Sequence, residues 1–228
     1  GGKRQMSGKL IVIDGLDGSG KSTQAQCVAD ALTQKGIKNM LISFPDYEKP
    51  SSALVKMYLS GAFSENANDV NAYAASSFYA VDRYASYMTV WRSFYEAGGV
   101  VIATRYVSSN AIHQMCKLPN TEWDSYLSWL SDFEYEKLGL PRPDRILFLN
   151  MPRDVADRLI ESRYGGDMSK KDIHEKNTAY LRQCEQTAAY AAQKENWTVI
   201  SCAQAGAPRP QEEITAELLE KIIGDLSC

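Results

Sequence analysis

A glycine-rich segment with a lysine and a serine, GLDGSGKS at residues 15–22, has the composition of a phosphate cradle. It matches the pattern GxxxxGK[ST], and it lies between a short apolar run and a helical pattern, as a phosphate-binding loop requires. The glycines permit backbone angles at which successive amide N–H groups point at phosphate oxygens. Lys21 supplies a positive charge for the β- and γ-phosphates, and the Ser22 hydroxyl is placed to ligate Mg²⁺. The segment therefore predicts binding of a nucleoside triphosphate together with magnesium.

A single lysine matters in such a loop, because a charge pair ~4 Å apart at an effective dielectric of ~20 is worth about 4 kcal/mol. The alternative interpretation is a glycine-rich turn that binds nothing. The loop alone does not separate a kinase from a GTPase or a motor. The residues predicted to bind the triphosphate are Gly15, Gly18, Ser19, Gly20, Lys21, Ser22 and Thr23.

Further polar and aromatic segments narrow the chemistry. They are FPDY (44–47), FYAVDRYA (78–85), TRYVSSNAIHQ (104–114) and SRYGGDMSKKDIHE (162–175). Together with the loop, their order and spacing resemble the thymidylate kinases, a branch of the P-loop nucleoside monophosphate kinases, over about residues 9–200. The combination of FP, DR in a long helix, and xRYxxSxxAxQ is more specific than the loop. The resemblance implies transfer of the γ-phosphoryl group of ATP to dTMP, giving dTDP for dTTP synthesis, with Mg²⁺.

The resemblance also implies which residues hold the phosphate and the base of the acceptor nucleotide. Arg105 and Tyr47 match positions that hold the 5′-phosphate, and a planar guanidinium suits phosphate oxygens. Tyr79 matches a ring that stacks on thymine. Arg83 lies four residues further along the same helix face and matches a donor to a thymine carbonyl. Asp17, inside the glycine-rich loop, matches a carboxylate that orients the acceptor.

The base edge and the sugar have their own matching positions. Asn110 matches a polar contact with the base edge, although it can equally be a capping or structural amide. Phe44 matches an apolar contact with base and sugar. The residues implied to bind dTMP are Asp17, Phe44, Pro45, Tyr47, Tyr79, Arg83, Arg105, Ser109, Asn110, His113 and Gln114.

Structural roles compete with the binding roles at several of these positions. Tyr79 can be a core aromatic, since aromatic residues at helical spacing usually are. Arg83 can pair with Asp82 or Asp46 on a solvated face. Arg105 can form a surface ion pair.

Phosphoryl transfer needs positive charge around the migrating group, because the transition state spreads negative charge over its oxygens. Some thymidylate kinases carry an arginine inside the loop, where this chain has Gly18 and Ser19. The resemblance is to the subgroup in which a mobile lid supplies this charge, and we expect the lid at residues 163–172. The alternative is a solvated basic loop. The residues predicted to be catalytic are Lys21, Asp17, Arg105, Arg158 and Arg163.

The sequence departs from the family pattern at three positions. Thr104 stands where the family has an aspartate that organises Mg²⁺ and the phosphates, and Asp46 stands where a basic residue is common. His113 stands where the family often has a tyrosine near C2′ of the sugar. These changes leave two alternatives open: a kinase for another deoxypyrimidine monophosphate, or a catalytically weakened nucleotide-binding protein that regulates a partner.

Alternating apolar runs and helical patterns must position these residues. Strands are predicted over 9–14, 39–43, 100–103, 144–150 and 197–201. Helices are predicted over 21–35, 69–97, 123–138, 152–163, 172–194 and 211–226. This alternation indicates an α/β fold with a five-stranded parallel sheet flanked by helices, as in P-loop NTPases. Ligands in such folds bind at the carboxyl ends of the strands, and the candidate residues follow strands.

Length and charge limit the remaining possibilities. The chain has 228 residues with 25 Lys and Arg against 28 Asp and Glu, a net charge of −3. This balance disfavours a protein that coats nucleic acid or an acidic membrane. No apolar run approaches the ~20 residues of a membrane-spanning helix. We expect residues 1–8 to be a flexible extension and 9–228 to be one domain.

Cysteine usage and the long helix suggest cellular context and assembly. The cysteines are odd in number, at five, and no two form a CxxC pair, so neither a disulfide framework nor a zinc site is indicated. Reduced thiols in a cytoplasmic protein are the simpler interpretation. The resemblance implies a homodimer formed through the long helix at 69–97, with Trp91 and Phe94 in either the core or the interface.

Overall fold

The computed structural model describes residues 8–164 and 178–227. Its main feature is a five-stranded sheet in the order β2-β3-β1-β4-β5, in which all neighbouring strands are parallel. The strands are β1 (Lys9–Gly15), β2 (Asn39–Ser43), β3 (Val100–Thr104), β4 (Arg145–Asn150) and β5 (Thr198–Ser201). The predicted fold is confirmed, and each strand begins and ends within one residue of its predicted position.

Helices cover both faces of this sheet. They are α1 (Lys21–Gln34), α2 (Ala53–Leu59), α3 (Ala72–Ser86), α4 (Arg92–Glu96), α5 (Val107–His113), α6 (Trp123–Ser131), α7 (Arg153–Tyr164), α8 (Thr178–Lys194) and α9 (Gln211–Leu226). A small antiparallel pair, β6 (Ala203–Gln204) and β7 (Ala207–Pro208), precedes α9. The sequence patterns did not reveal α2 and α5, because two turns are too short to display a helical period.

Two of the predicted long helices contain a wide turn. The prediction of one helix over 69–97 is wrong in detail: α3 begins after Asn71, whose side chain accepts a hydrogen bond from Ala74 N at 2.9 Å. It then passes into a π-helical turn at Tyr87–Trp91 before α4. Likewise, α6 passes into a π-helical turn at Asp132–Lys137. Such turns insert one residue without a proline or glycine to announce them, so the sequence pattern reads as continuous helix.

The core consists of one apolar cluster on each face of the sheet. Ile11 and Ile13 of β1 pack with residues of α1 and α9 on one face. Leu10 and Val12 point to the other face, where α5, α6 and α8 cover them. Successive strand residues alternate between the faces, and both faces are covered, so the strand reads as a continuous apolar run. Trp91 is fully buried in the second cluster, which assigns it to the core.

Some predictions fall on residues outside the described ranges. The extension at residues 1–7 and the lid beyond residue 164 lie there, as do residues 172–177 of the helix predicted at 172–194. Within the described part of the chain, no helix combines the length and the apolar composition needed to span a bilayer. The four described cysteines, Cys27, Cys116, Cys184 and Cys202, are free thiols.

Candidate active site

The glycine-rich loop connects β1 to the first turn of α1. The Gly15 amide donates to Asp14 Oδ1 at 2.8 Å, and the Ser19 amide donates to Leu16 O at 3.1 Å, which closes the turn. The Ser19 hydroxyl is buried and has no hydrogen-bond partner among the described residues. Ser22, at the start of α1, is exposed. An unsatisfied buried hydroxyl beside a helix N-terminus is the arrangement that a bound phosphate oxygen can complete.

Both the backbone angles and the surroundings of residue 18 require a glycine there. Its φ of +82° lies in the left-handed region that favours glycine. A Cβ at this position would come within 2.9 Å of the Ala156 carbonyl oxygen on α7. The loop therefore packs directly on the helix that leads into the predicted lid.

Lys21 extends back over the loop. Its Nζ lies 3.4 Å from Leu16 O and 3.5 Å from Asp17 Oδ1. Burial, followed by the neighbouring charge of Arg105, lowers the pKa of Lys21 to about 8, although Asp17 opposes this shift. Burial removes water from the ammonium group and so disfavours its charged form. An anion that binds next to Lys21 stabilises that charged form again.

Arg105 connects the loop to the opposite wall of the site. It follows β3 with a φ of +62°, an uncommon conformation for arginine that costs on the order of 1–3 kcal/mol. Its Nη2 donates to Asp17 Oδ1 at 2.8 Å, and its Nη1 lies 3.0 Å from His113 Nε2. Burial raises the pKa of Asp17, but Arg105 and Lys21 outweigh it and hold that pKa well below its usual range. Asp17 is therefore an ionised carboxylate between two cations.

One cavity collects every residue that the sequence assigned to the acceptor. It opens at the carboxyl ends of the strands, next to Asp17 and Arg105. The residues lining it are Asp17, Phe44, Pro45, Tyr47, Leu59, Tyr79, Arg83, Arg105, Ser109, Asn110, His113 and Gln114. Leu59 is the one lining residue that the sequence analysis missed, because it lies on the unpredicted helix α2. The individual roles of the other residues stay predictions.

The end of this cavity lined by Arg83 and Asn110 rests on a buried ion pair that the sequence did not indicate. Arg83 donates to Glu134 through Nε at 2.7 Å and Nη2 at 2.5 Å. Asn110 Nδ2 also donates to Glu134, at 2.9 Å. The suggested pairing of Arg83 with Asp82 or Asp46 is therefore wrong. Asp82 instead accepts hydrogen bonds from the Asp46 amide and from Ser51, and so anchors the loop after β2.

The aromatic residues of the cavity differ in exposure. Tyr79 is half-buried, and its ring lies edge-on to Tyr58 with centroids 6.4 Å apart. Phe44 is buried and follows β2 directly, with a cis peptide bond to Pro45. Tyr47 is 46% exposed. Tyr79 is thus partly a core residue and partly a cavity wall, which combines both interpretations of that position.

Of the three departures from the family pattern, His113 lines the cavity, whereas Thr104 and Asp46 lie outside its lining. Thr104 Oγ1 donates to Ser43 Oγ at 2.6 Å across the β2–β3 pair, so its hydroxyl has a structural partner. A neighbouring carboxylate, Asp14 at the end of β1, is completely buried. Asp14 accepts hydrogen bonds from Ser108 at 2.6 Å and from Ser109 at 3.0 Å. A buried carboxyl group is therefore present beneath the loop without an aspartate at position 104.

The arginines near the predicted lid are distributed differently from the prediction. Arg158 is exposed and donates to the Gly206 carbonyl at 2.7 Å, at the turn between β6 and β7, instead of contacting the glycine-rich loop. The side chain of Arg163 lies outside the described residues. Arg153 at the start of α7 does reach the loop, donating to Asp17 O at 3.3 Å. No motif marked Arg153, since its role depends on α7 packing against the loop.

Comparisons with known proteins show the family and the fold to which the chain is similar. The family model for thymidylate kinase matches residues 13–214. The thymidylate kinase of Mycobacterium tuberculosis is 29% identical over 175 residues, covering 76% of this chain and 80% of the relative. The Schizosaccharomyces pombe enzyme is 30% identical over 169 residues, covering 74% and 72%. A solved structure of thymidylate kinase from Candida albicans shares the fold, with a TM-score of 0.71, 22% identity, and coverage of 96% of this chain and 92% of that one.

Proposed function

The chain belongs to the thymidylate kinase family, and on that premise we propose that it transfers the γ-phosphoryl group of ATP to dTMP, forming ADP and dTDP for dTTP synthesis. The observation that carries the proposal is the cavity beside the glycine-rich loop. Arg105 at the boundary contacts Asp17 of that loop, and the cavity behind it has an aromatic wall and a polar end. The donor phosphates and the acceptor phosphate would meet at this boundary. We treat residues 9–228 as one kinase domain with a lid at 163–172.

The chemistry follows from charge and position. An oxygen of the dTMP 5′-phosphate attacks the γ-phosphorus of ATP, and the bond from that phosphorus to the bridging oxygen breaks, so ADP leaves. Lys21 and the loop amides hold the ATP phosphates, while Arg105 holds the acceptor phosphate. Asp17 lies between these two cations and fixes their separation. No side chain forms a covalent bond, because positioning and electrostatic stabilisation supply the catalysis in phosphoryl transfer.

Magnesium is part of the proposal. The exposed Ser22 hydroxyl offers an oxygen ligand. Mg²⁺ usually takes its remaining ligands from water and substrate phosphates, so one protein hydroxyl fits this ion. The described residues contain no cluster of three or more His, Cys, Asp or Glu side chains arranged for a metal, which fits an ion held mainly by the nucleotide. When bound, the ion neutralises charge on the β- and γ-phosphates.

A homodimer is also proposed, with the face of α3 as its interface. Tyr73, Val81, Tyr84 and Met88 are between 37% and 43% exposed. Their spacings of eight, three and four residues put them on one side of α3 and the turn that follows. Val81→Glu puts a charge on this face without touching the core. Light scattering is expected to give a dimer for the parent chain and a monomer for the variant; a monomeric parent would contradict the proposal.

The proposal includes a cytoplasmic location, where ATP is available and thiols remain reduced, and small-molecule nucleotides as the only substrates. The test of function is a coupled assay of ADP release with dTMP, dUMP, AMP, GMP and CMP in turn. We expect dTMP to give the highest kcat/KM. Absence of turnover with dTMP, or a preference for a purine nucleotide, would sink the proposal.

A further inference from the structure

Glu134 is a completely buried acid whose carboxylate has two cavity residues as its hydrogen-bond partners in the described chain. It sits on the π-helical turn at Asp132–Lys137 and does not itself line the cavity. Its Oε2 accepts from Arg83 Nε at 2.7 Å. Its Oε1 accepts from Arg83 Nη2 at 2.5 Å and from Asn110 Nδ2 at 2.9 Å. Since burial of a carboxylate is costly, its position behind the cavity suggests a role in arranging these two side chains.

The first consequence concerns the orientation of the Asn110 amide. Its Nδ2 donates one hydrogen to Glu134 and the other to the Ser76 carbonyl at 3.1 Å. Both partners are acceptors only, and an ionised carboxylate has no hydrogen to give. A flipped amide would set Asn110 Oδ1 against Glu134 Oε1, two acceptors facing each other. The carboxylate and the Ser76 carbonyl together therefore fix Oδ1 as the atom that Asn110 has left for the cavity.

The second consequence concerns the guanidinium of Arg83. Glu134 takes the Nε hydrogen and one Nη2 hydrogen of this side chain, which leaves the two hydrogens of Nη1 and the second hydrogen of Nη2, along the other edge of the guanidinium. Arg83 is 1% exposed and still lines the cavity, so what it offers a ligand is this one edge. Arg83 and Asn110 meet at the same carboxylate oxygen, so the donor and the acceptor are neighbours.

The Arg83 guanidinium is a hydrogen-bond donor and Asn110 Oδ1 is an acceptor, so together they present a fixed donor–acceptor order to a ligand. A 4-oxo pyrimidine, thymine or uracil, carries an acceptor at O4 next to a donor at N3–H. A 4-amino pyrimidine, cytosine, carries a donor at N4 next to an acceptor at N3, the opposite order. We propose that Glu134 is the positioning residue that sets this polarity, and so makes the site accept 4-oxo and reject 4-amino pyrimidine monophosphates. The inference rests on the proposed function, whose acceptor is a pyrimidine nucleotide.

The test compares dUMP with dCMP by direct binding, because these two nucleotides differ in the base only in the group at the 4-position and in the hydrogen on N3 that goes with it. Titration calorimetry on the parent chain is expected to give a dissociation constant for dCMP at least about 10³-fold above that for dUMP, since both hydrogen bonds would be mismatched. Equal affinities would overturn the proposal even if every variant failed to fold. Binding is measured without ATP, so this outcome is independent of whether phosphoryl transfer occurs.

Variants of the π-helical turn at Asp132–Lys137 separate the effect of hydrogen-bond polarity on base selectivity from the effect of side-chain packing. Glu134→Gln keeps the volume but carries both a donor and an acceptor, so it removes one of the two acceptors that hold the Asn110 amide and leaves the Ser76 carbonyl. The ratio of the dCMP dissociation constant to the dUMP dissociation constant is therefore expected to fall by about tenfold. Glu134→Asp is still an acceptor only, so the ratio should stay high even where both nucleotides bind more weakly. Glu136→Gln is the matched control, since Glu136 is 60% exposed and pairs with Arg142. An unchanged ratio in Glu134→Gln, with dUMP still bound, would refute the role assigned to this residue.

Discussion

The lowered pKa of Lys21 predicts that ATP affinity falls in the mildly alkaline range. The lysine is held among other charges: Asp17 lies 3.5 Å from its Nζ and Arg105 bonds the same carboxylate oxygen at 2.8 Å. Burial of the ammonium group, followed by the charge of Arg105, lowers the pKa of Lys21 to about 8, and Asp17 opposes this shift. Triphosphate binds the protonated form and raises the lysine pKa in the complex, because opposite charge stabilises the ammonium. At a pH above the Lys21 pKa of the unbound protein, ATP binding therefore takes up a proton, and ATP binds more weakly as the pH rises.

The magnitude follows from the fraction of lysine protonated. One pH unit above a pKa, about one molecule in ten carries the proton, so the dissociation constant for ATP rises about tenfold for each unit above about pH 8. The assay is titration calorimetry with MgATP from about pH 7.5 to about pH 9.5 at constant ionic strength, in buffers of different ionisation enthalpy, which also counts the protons taken up.

Two variants sharpen this prediction. Lys21→Arg keeps a charge that does not titrate in this range, so its ATP affinity is expected to be flat with pH. Asp17→Asn removes the charge that opposes the lysine shift and leaves Arg105, so the fall in affinity should begin at lower pH. A dissociation constant for the parent chain that stays level across the whole range would refute the electrostatic account of the loop.

Three further predictions concern packing, the acceptor phosphate and magnesium. Gly18→Ala is expected to lower the free energy of unfolding, measured with urea, by about 1–3 kcal/mol more than Gly20→Ala does. Both glycines have a positive φ, but only a Cβ at residue 18 meets a neighbour, Ala156 O at 2.9 Å. Equal losses would argue against close packing of the loop on α7. Arg105→Lys keeps the charge but loses the planar guanidinium that contacts both Asp17 and His113. The kcat/KM for dTMP should therefore drop by about 10²-fold, while the KM for ATP changes much less. An unaltered kcat/KM would contradict the role assigned to Arg105. Thr104→Asp should change kcat by less than about threefold, because Asp14 already places a buried carboxyl group beside the loop; a rise of about tenfold would favour the catalytically weakened homologue.

Much of the site was predictable because parallel topology brings strand ends together. Asp17, Phe44 and Arg105 follow three different strands, and adjacent parallel strands end at the same edge of the sheet. Their convergence on one cavity needed only the order of the strands. The helix that carries Tyr79 and Arg83 was visible in its periodicity, so these residues could be placed on the cavity wall as well.

The missed residues depend on contacts that have no local signature. Glu134 is 51 residues from Arg83 in sequence and lies on a wide turn that reads as ordinary helix. Arg158 was assigned to the phosphates because it precedes the lid, but the small β6–β7 pair offers it the Gly206 carbonyl instead. Arg153 reaches the loop only because α7 packs on Gly18. Each of these outcomes is decided by tertiary packing, which a single sequence does not display.

The central claim is that this site moves the γ-phosphoryl group from ATP to the 5′-phosphate of dTMP. The most direct measurement is a single-turnover reaction of excess protein with γ-labelled ATP and dTMP, in which the products are separated by chromatography and the label is followed. We expect the label to appear in dTDP, and to do so far more slowly in Lys21→Ala at saturating ATP. Label that stays on ATP, or that is released as inorganic phosphate with no labelled dTDP, would contradict the claim.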